Sequence, residues 1–138
     1  MKQVVDTQKI IENLSEDLKG KIKAPDWTPF VKTGHGRQRP PTDPDWFYTR
    51  SASVMLKIRK LGPIGVNKLS LKYGNRKNRG MRPEKFAAGS RNLLRKILQQ
   101  LESQKLIQKA EIGAHKGKIL TDDGNRLIIK AEKKGEGK

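Results

Sequence analysis

The stretch GSRNLLRKILQQLESQKLIQKAEIGAHKGKILT, residues 89–121, contains one amphipathic helix followed by two short strands. In its first half, apolar residues recur at spacings of one, three and four, which is typical of a helix packed on a core. Ser90 is the expected N-cap of this helix. The second half predicts two strands around Gly113–Gly117, forming a hairpin with a basic tip. The expected core stripe consists of Leu93, Leu94, Ile97, Leu98 and Leu101.

Four further helices are predicted outside this stretch. Apolar residues recur at helical spacing over residues 6–18 and 45–61, and Asp43 or Asp45 is placed to cap the second of these helices. A short helix is expected over 65–74, which has glycine at both ends. Thr121 is expected to cap a last helix that carries acids in its first turn.

The order of these elements predicts the fold class. A helix, a short helix, a long helix and a hairpin in succession describe a mainly α, winged-helix-like domain with a small β-hairpin wing. We expect a single domain over 1–133 and a disordered tail at 134–138. Residues 20–45 contain five prolines and form an irregular connector, with a helical turn after Pro25. The connector is expected to be anchored on the core by Trp27, Phe30 and Val31.

The charge of the chain is large and uneven. Its 138 residues include 31 Lys and Arg against 14 Asp and Glu, a formal net charge of +17. Residues 1–20 are slightly acidic, whereas residues 50–96 carry fourteen Lys or Arg and one acid. Such segregation favours a polyanionic partner, nucleic acid before an anionic membrane surface.

Other classes of protein are disfavoured. No apolar run approaches the roughly 18 residues of a membrane-spanning helix, and we expect no membrane association. The N-terminus lacks a signal-peptide pattern and the chain has no cysteine, so we expect a cytoplasmic protein without disulfides. His35 and His115 are the only histidines, and no metal-ligand spacing or phosphate-binding glycine motif is present. We therefore expect no enzyme, no cofactor and no small-molecule substrate.

The densest cationic stretch is YGNRKNRGMRPEKF, residues 73–86. We expect a basic loop that contacts RNA phosphates and becomes ordered on RNA; the alternative is a mobile, solvated loop. Either way the connection is longer than the three- or four-residue turn of an ordinary helix-turn-helix. The cations expected to contact phosphate are Arg76, Lys77, Arg79 and Arg82.

The helix at 45–61 offers a second candidate surface. Trp46 and Arg50 lie one turn apart and could form a stacking platform for a base or ribose, although Trp46 is equally consistent with a core position. Lys57, Arg59 and Lys60 extend the positive charge of this helix.

The long helix and the wing are weaker candidates. Arg91 and Arg95 fall on the outer face of the long helix and are within reach of backbone phosphates, although Glu102 on the same helix would repel them. The wing offers His115, Lys116 and Lys118, for which nucleic-acid contact and simple solvent exposure are equally consistent.

Five motifs together resemble a family of archaeal and eukaryotic small-subunit ribosomal proteins, number nineteen of the eukaryotic-type series and unrelated to the bacterial protein of that number. The motifs occur in this order and spacing and span the chain to about residue 132. The short tail and compact length look more archaeal than eukaryotic. The motifs are WFYTR, GPIGVNKLSLKYG, NRKNRGMRPEKF, GSRNLLRKILQQLE and ILTDDGNR.

The resemblance implies a winged-helix-like fold on the head of the small subunit, against the 3′ major domain of its rRNA. It implies a role in rRNA maturation, as in eukaryotes. The family's aromatic-basic helix start falls on Trp46 and Arg50, and its basic outer face on Arg95. Where the eukaryotic pattern has a basic residue, this chain has Leu56, with Lys57 next to it. The family's glycine-rich basic loop falls on Gly74, Arg76, Arg79, Gly80, Arg82 and Pro83.

The charge pattern and the resemblance together imply a structural rRNA-binding protein, monomeric when free, with small-subunit rRNA and neighbouring ribosomal proteins as partners. The alternative is a winged-helix DNA-binding regulator, which would be a homodimer with half-sites about one duplex turn apart. An rRNA-processing enzyme is a third hypothesis, and it lacks a catalytic constellation.

Overall fold

The computed structural model describes residues 7–34, 41, 44–112 and 115–136. Asp6, His35, Asp43 and Gly113, which entered the predictions above, lie outside the described residues, as does the side chain of His115.

Five helices and two antiparallel hairpins make up the described fold. Helix α1 spans Thr7–Lys19 and α2 spans Trp46–Leu61, with a single 3-10 turn at Thr28–Phe30 between them. Helix α3 spans Val66–Lys72 and leads into a first hairpin, β1 at Asn75–Arg79 and β2 at Arg82–Ala87. Helix α4 spans Arg91–Ser103 and leads into a second hairpin, β3 at Ile107–Ile112 and β4 at His115–Leu120. Helix α5 closes the chain at Asp122–Glu136.

One apolar core joins the helices. Helix α1 packs on α2 and α5, while α4 packs on α3 and β3. The predicted stripe of α4 is buried in full, which confirms the amphipathic pattern of residues 89–121. Other fully buried side chains are Leu14, Leu18, Phe47, Met55, Ile58, Leu69, Ile107 and Ile128.

The caps predicted for α4 and α5 are confirmed. The hydroxyl of Ser90 accepts a hydrogen bond from the Leu93 N–H at 3.3 Å. The hydroxyl of Thr121 accepts one from the Gly124 N–H at 3.3 Å. Asp45 precedes α2, but its side chain makes no cap hydrogen bond. Its carboxylate instead accepts a hydrogen bond from Lys19 at 3.0 Å, so the predicted side-chain cap by Asp45 is wrong.

The winged-helix-like arrangement is confirmed by the five described helices and the hairpins, and a backbone bridge joins the α2–α3 connection to the wing, β3–β4. Ile64, between α2 and α3, exchanges two backbone hydrogen bonds with Lys118 of β4, at 3.0 and 3.3 Å. Gly117 permits this approach, because a Cβ there would lie 2.5 Å from the backbone nitrogen of Ile64. Gly117 therefore belongs inside strand β4, whereas the sequence had placed it in the turn of the hairpin.

The expectation of a loop at 73–86 is wrong, because β1 and β2 form a hairpin there. The strands could not be recognised from their composition, because Asn, Gly and Lys disfavour strands. The run of cations also shows no alternation of apolar and polar residues. Pro83 is tolerated in β2 because each strand of a two-stranded hairpin is an edge. The long connection between α3 and α4 is therefore a hairpin inserted in addition to the wing.

The connector before α2 is held by side chains of the folded domain. The Gln100 side chain accepts from the Lys23 N–H at 2.9 Å and donates to the Lys23 carbonyl at 2.6 Å. Trp27 and Val31 pack against the core as expected. Phe30 does not anchor it, because its side chain is 80% exposed; the 3-10 turn directs it away from the core.

Candidate nucleic-acid interface

The basic hairpin, β1–β2, brings like charges directly opposite one another. Lys77 pairs in register with Lys85, and Arg79 pairs with Arg82. Cross-strand neighbours on one face of an antiparallel pair lie only about 5 Å apart, and like charges in such positions are destabilising. The hairpin therefore concentrates positive charge at a cost to its own stability.

The turn of the basic hairpin is defined by local hydrogen bonds. The register shifts between Lys77 and Arg79, and the Asn78 side chain accepts a hydrogen bond from the Gly80 N–H at 2.9 Å. Gly80 has φ of 75°, a left-handed conformation that favours glycine. The Nε–H of Arg79 donates to the Pro83 carbonyl at 2.9 Å. These bonds hold Arg79 at the end of the ribbon, beside the turn.

Tyr73 connects the basic hairpin to helix α2. The guanidinium carbon of Arg50 lies 4.3 Å from the centroid of the Tyr73 ring, and the Lys57 ammonium lies 5.2 Å from it, both distances typical of cation–π contacts. The Tyr73 and Ser53 hydroxyls are hydrogen-bonded at 2.6 Å. Tyr73 is two residues before β1, so two cations of α2 are held at the base of the hairpin.

The environment of Tyr73 favours the neutral phenol. Burial raises the pKa of Tyr73 above its ordinary value, and the hydrogen bond with Ser53 and the charge of Arg50 oppose that rise. Both cations therefore lie over the ring of a neutral phenol. Tyr73 is thus a positioning residue for the basic surface of α2.

Trp46 is a core residue, and its interpretation as an exposed stacking platform is wrong. Its side chain is only 8% exposed, and its indole N–H donates to the Thr28 carbonyl at 3.2 Å. The edge of its ring meets Phe47, with centroids 6.1 Å apart. Trp46 and Arg50 do share one side of α2, as the spacing predicted, but Arg50 contacts Tyr73 instead.

Three other candidate cations form ion pairs within the domain. Arg59, near the end of α2, lies 2.6 Å from Glu132 of α5. On the wing, Lys118 lies 2.6 Å from Glu102 and Lys116 lies 3.7 Å from Glu111. These pairs already compensate part of the positive charge at both places.

The Lys118–Glu102 pair shapes the outer face of α4. The hydrogen bond from Lys118 lowers the pKa of the Glu102 carboxyl below its ordinary value, with the charges of Lys118 and Lys109 adding to the effect and partial burial opposing it. The negative charge of Glu102 is therefore paired with the wing, whereas Arg91 and Arg95 are exposed on α4 itself. Lys60 is likewise exposed at the end of α2.

Two features of this surface were missed from the sequence. Tyr73 went unassigned because it was counted as part of the basic stretch; its position at the end of a short helix, four residues after a buried Leu69, was the available signal for a packed ring. Lys85 was not among the predicted phosphate contacts, although its register opposite Lys77 places it among the cations of the hairpin.

The described part of the chain shows neither a cluster of metal-binding side chains nor a helix that could span a membrane. It contains no group of three or more His, Asp or Glu side chains that could hold a metal ion. Within the same residues, no helix is both long enough and apolar enough to cross a bilayer.

The fold and this surface together define a winged-helix-like domain carrying an inserted basic hairpin. Comparison with known proteins identifies the family. The chain matches ribosomal protein S19e over residues 1–134. It therefore belongs to the S19e family of ribosomal proteins.

Similar proteins come from animals and archaea. Small ribosomal subunit protein eS19G of Ascaris suum is 38% identical over 124 residues, covering 88% of this chain and 82% of the relative. The eS19 protein of Thermoplasma volcanium is 37% identical over 131 residues, covering 91% and 87% respectively. The eS19 protein of Aeropyrum pernix is 40% identical over 123 residues, covering 86% and 78%.

Proposed function

We propose that this protein is a structural constituent of the small ribosomal subunit and binds rRNA through the basic hairpin and the adjoining face of α2. Relatives that cover most of the chain carry the name of a small ribosomal subunit protein. The proposal includes neighbouring ribosomal proteins as further partners, a monomeric free state and a cytoplasmic location.

The observation that carries the proposal is the strand register of the hairpin, which places like charges opposite one another. A register that sets Lys77 opposite Lys85 and Arg79 opposite Arg82 brings like charges close together, which is unfavourable across an antiparallel pair. A phosphate backbone between or beside these cations converts the repulsion into attraction and releases condensed counterions. The hairpin should therefore be more stable when a polyanion is bound to it than in the free protein.

The surface continues from the hairpin onto α2. Tyr73 holds Arg50 and Lys57 beside the start of β1, so that phosphates bound along the hairpin can also be contacted from the helix. An ordered guanidinium loses less conformational entropy on binding a phosphate than a freely rotating one does. We therefore assign Arg50 and Lys57 to the same RNA surface as the hairpin.

Phosphate contacts and RNA shape account for the binding mode. Trp46, the aromatic residue proposed to stack on a base, is buried, and the cations of the hairpin are suited to the sugar–phosphate backbone. Neutralising phosphates allows RNA segments to approach one another, so the same contacts would aid assembly and maturation of the small-subunit rRNA.

Binding of the purified protein to small-subunit rRNA tests this function. Titrations at several salt concentrations would compare small-subunit rRNA with large-subunit rRNA and with duplex DNA, and sedimentation equilibrium would give the oligomeric state. We expect a monomer that prefers small-subunit rRNA. A homodimer that prefers a particular duplex DNA sequence would instead establish the winged-helix regulator, and equal affinity for the three polymers would reject specific rRNA binding.

A further inference from the structure

Met81 occupies the turn of the basic hairpin with its side chain fully in solvent. Its exposure, 106% of the reference value, is the highest among the large apolar side chains that the structure describes as exposed. Single exposed apolar residues are common on protein surfaces. Met81 differs because it stands at the tip of a projecting element, between Gly80 and Arg82.

The hairpin beneath Met81 projects from the domain. Over the described residues, β1 and β2 pack extensively only against each other. A two-stranded hairpin is marginally stable alone, and this one also carries opposed cations. The hairpin therefore contributes little to the core, and its projecting shape and positive charge suit it to contact a partner.

Charge identifies the chemistry of the partner at the tip. Residues 75–87 contain five Lys or Arg and one acid, so a partner that receives Met81 must also be strongly anionic. RNA combines phosphates with apolar surface, which it offers on the faces of its bases. In a continuous A-form helix those faces are stacked, and the deep major groove is too narrow for side chains to read. An apolar tip therefore finds its site where a base is unstacked.

The thioether of methionine suits such a site. Its sulfur is polarisable and makes favourable contacts with aromatic rings, and its flexible side chain adapts to an irregular surface. Arg79 lies beside the turn through its hydrogen bond to the Pro83 carbonyl, and Arg82 follows Met81 directly. The apolar contact is thereby flanked by two guanidinium groups that can bind the phosphates on either side of an unstacked nucleotide.

We propose that Met81 is a base-contacting wedge, which places the tip of the hairpin at an interrupted RNA helix with an unstacked nucleobase while Arg79 and Arg82 bind the flanking phosphates. This inference rests on the proposed rRNA-binding function and adds to it a preference for bulged or looped RNA over continuous duplex.

Two substitutions at Met81 and two synthetic RNAs test the wedge. The RNAs are a stem with a bulge of unpaired adenosines and the same stem fully paired. Met81→Gln keeps the length of the side chain but makes it polar, whereas Met81→Leu keeps it apolar. Leu71→Gln is the matched control, because Leu71 is also an exposed apolar residue but lies on α3, outside the hairpin.

The wedge predicts a selective loss. Met81→Gln should bind the bulged stem about tenfold more weakly than the wild type, since covering an apolar methionine side chain contributes at least about that much. Its affinity for the paired stem and the salt dependence of its binding should not change, because no charge is removed. Met81→Leu should stay within about twofold of the wild type, and Leu71→Gln should be indistinguishable from it.

Three results would overturn the wedge. The first is undiminished binding of Met81→Gln to the bulged stem, and the second is an equal loss on both stems. The third is a loss that appears only when neighbouring ribosomal proteins are added, which would place the tip against protein. If the rRNA-binding function itself is wrong, the result is different: the wild-type protein does not prefer small-subunit rRNA.

Discussion

Removing the charge of the basic hairpin should change how RNA binding responds to salt. The variant replaces Arg76, Lys77, Arg79 and Arg82 with glutamine, which keeps long polar side chains. The fold should survive, because the repulsion between like charges set opposite one another in the register is relieved, Lys77 with Lys85 and Arg79 with Arg82. Any loss of affinity is then attributable to the RNA contacts themselves.

The magnitude follows from counting phosphates. If each of the four cations neutralises one phosphate, the slope of log affinity against log salt should become shallower by about 3 to 4. Between about 50 and 200 mM salt, the advantage of the wild type over the variant should consequently shrink by about a hundredfold. At low salt the variant should bind small-subunit rRNA far more weakly, and at high salt the two proteins should converge.

Fluorescence titration of labelled rRNA at four or more salt concentrations gives both slopes. A second variant, with the exposed lysines Lys9, Lys21, Lys105 and Lys130 replaced by glutamine, lowers the net charge equally at positions away from the hairpin. We expect that control to lose little of the slope. An unchanged slope in the hairpin variant, or an equal reduction in the control, would refute the assignment of the hairpin as the main phosphate-binding element.

Three further predictions concern single residues. Tyr73→Leu should weaken rRNA binding by about tenfold, because the two cations of α2 lose the ring that orders them, whereas Tyr73→Phe should bind nearly as the wild type does; titration with thermal melting as a stability control distinguishes the two. Gly117→Ala should destabilise the domain by about 2 kcal/mol in urea unfolding, since the new Cβ would meet the backbone of Ile64, and Gly65→Ala, which meets no atom within 4 Å, should not. Glu102→Gln should reduce the acid dependence of stability: the pKa of Glu102 is lowered in the folded state, so its contribution is present above the ordinary value of 4.5 and is lost as pH falls through the lowered pKa. Urea unfolding of both proteins from neutral to acidic pH measures that difference.

The helices could be predicted from the sequence because their apolar residues recur with a clear period. The stripe of α4 and the caps at Ser90 and Thr121 are local signals, and the structure confirms them. The order of helices and wing then limited the fold to a winged-helix-like arrangement, since few architectures bury such a series of amphipathic elements.

The basic hairpin was not recognised because its strands bury little. A strand is identified by alternation between a buried and an exposed face, and β2 is exposed along almost its whole length. With six charged residues among fourteen and no apolar alternation, the sequence of 73–86 predicted only where the cations were concentrated. Their pairing into opposed rows depended on a register that no local pattern specifies.

The contacts that these side chains make could not be predicted from helical spacing. Helical spacing correctly placed Trp46 and Arg50 on one side of α2, but whether that side faced solvent depended on the connector at Thr28. The cation–π contacts of Tyr73 and the ion pair of Arg59 with Glu132 join residues that are distant in sequence. Such contacts are set by tertiary packing, and only the folded structure supplies them.

Sedimentation of a cell lysate through a sucrose gradient, at low and at high salt, tests the central claim most directly. If the protein is a constituent of the small ribosomal subunit, it should migrate with that subunit and remain bound through a stringent salt wash, while the hairpin variant is released at lower salt. If the wild-type protein instead remains at the top of the gradient, or migrates with DNA, the account of a ribosomal rRNA-binding protein is contradicted.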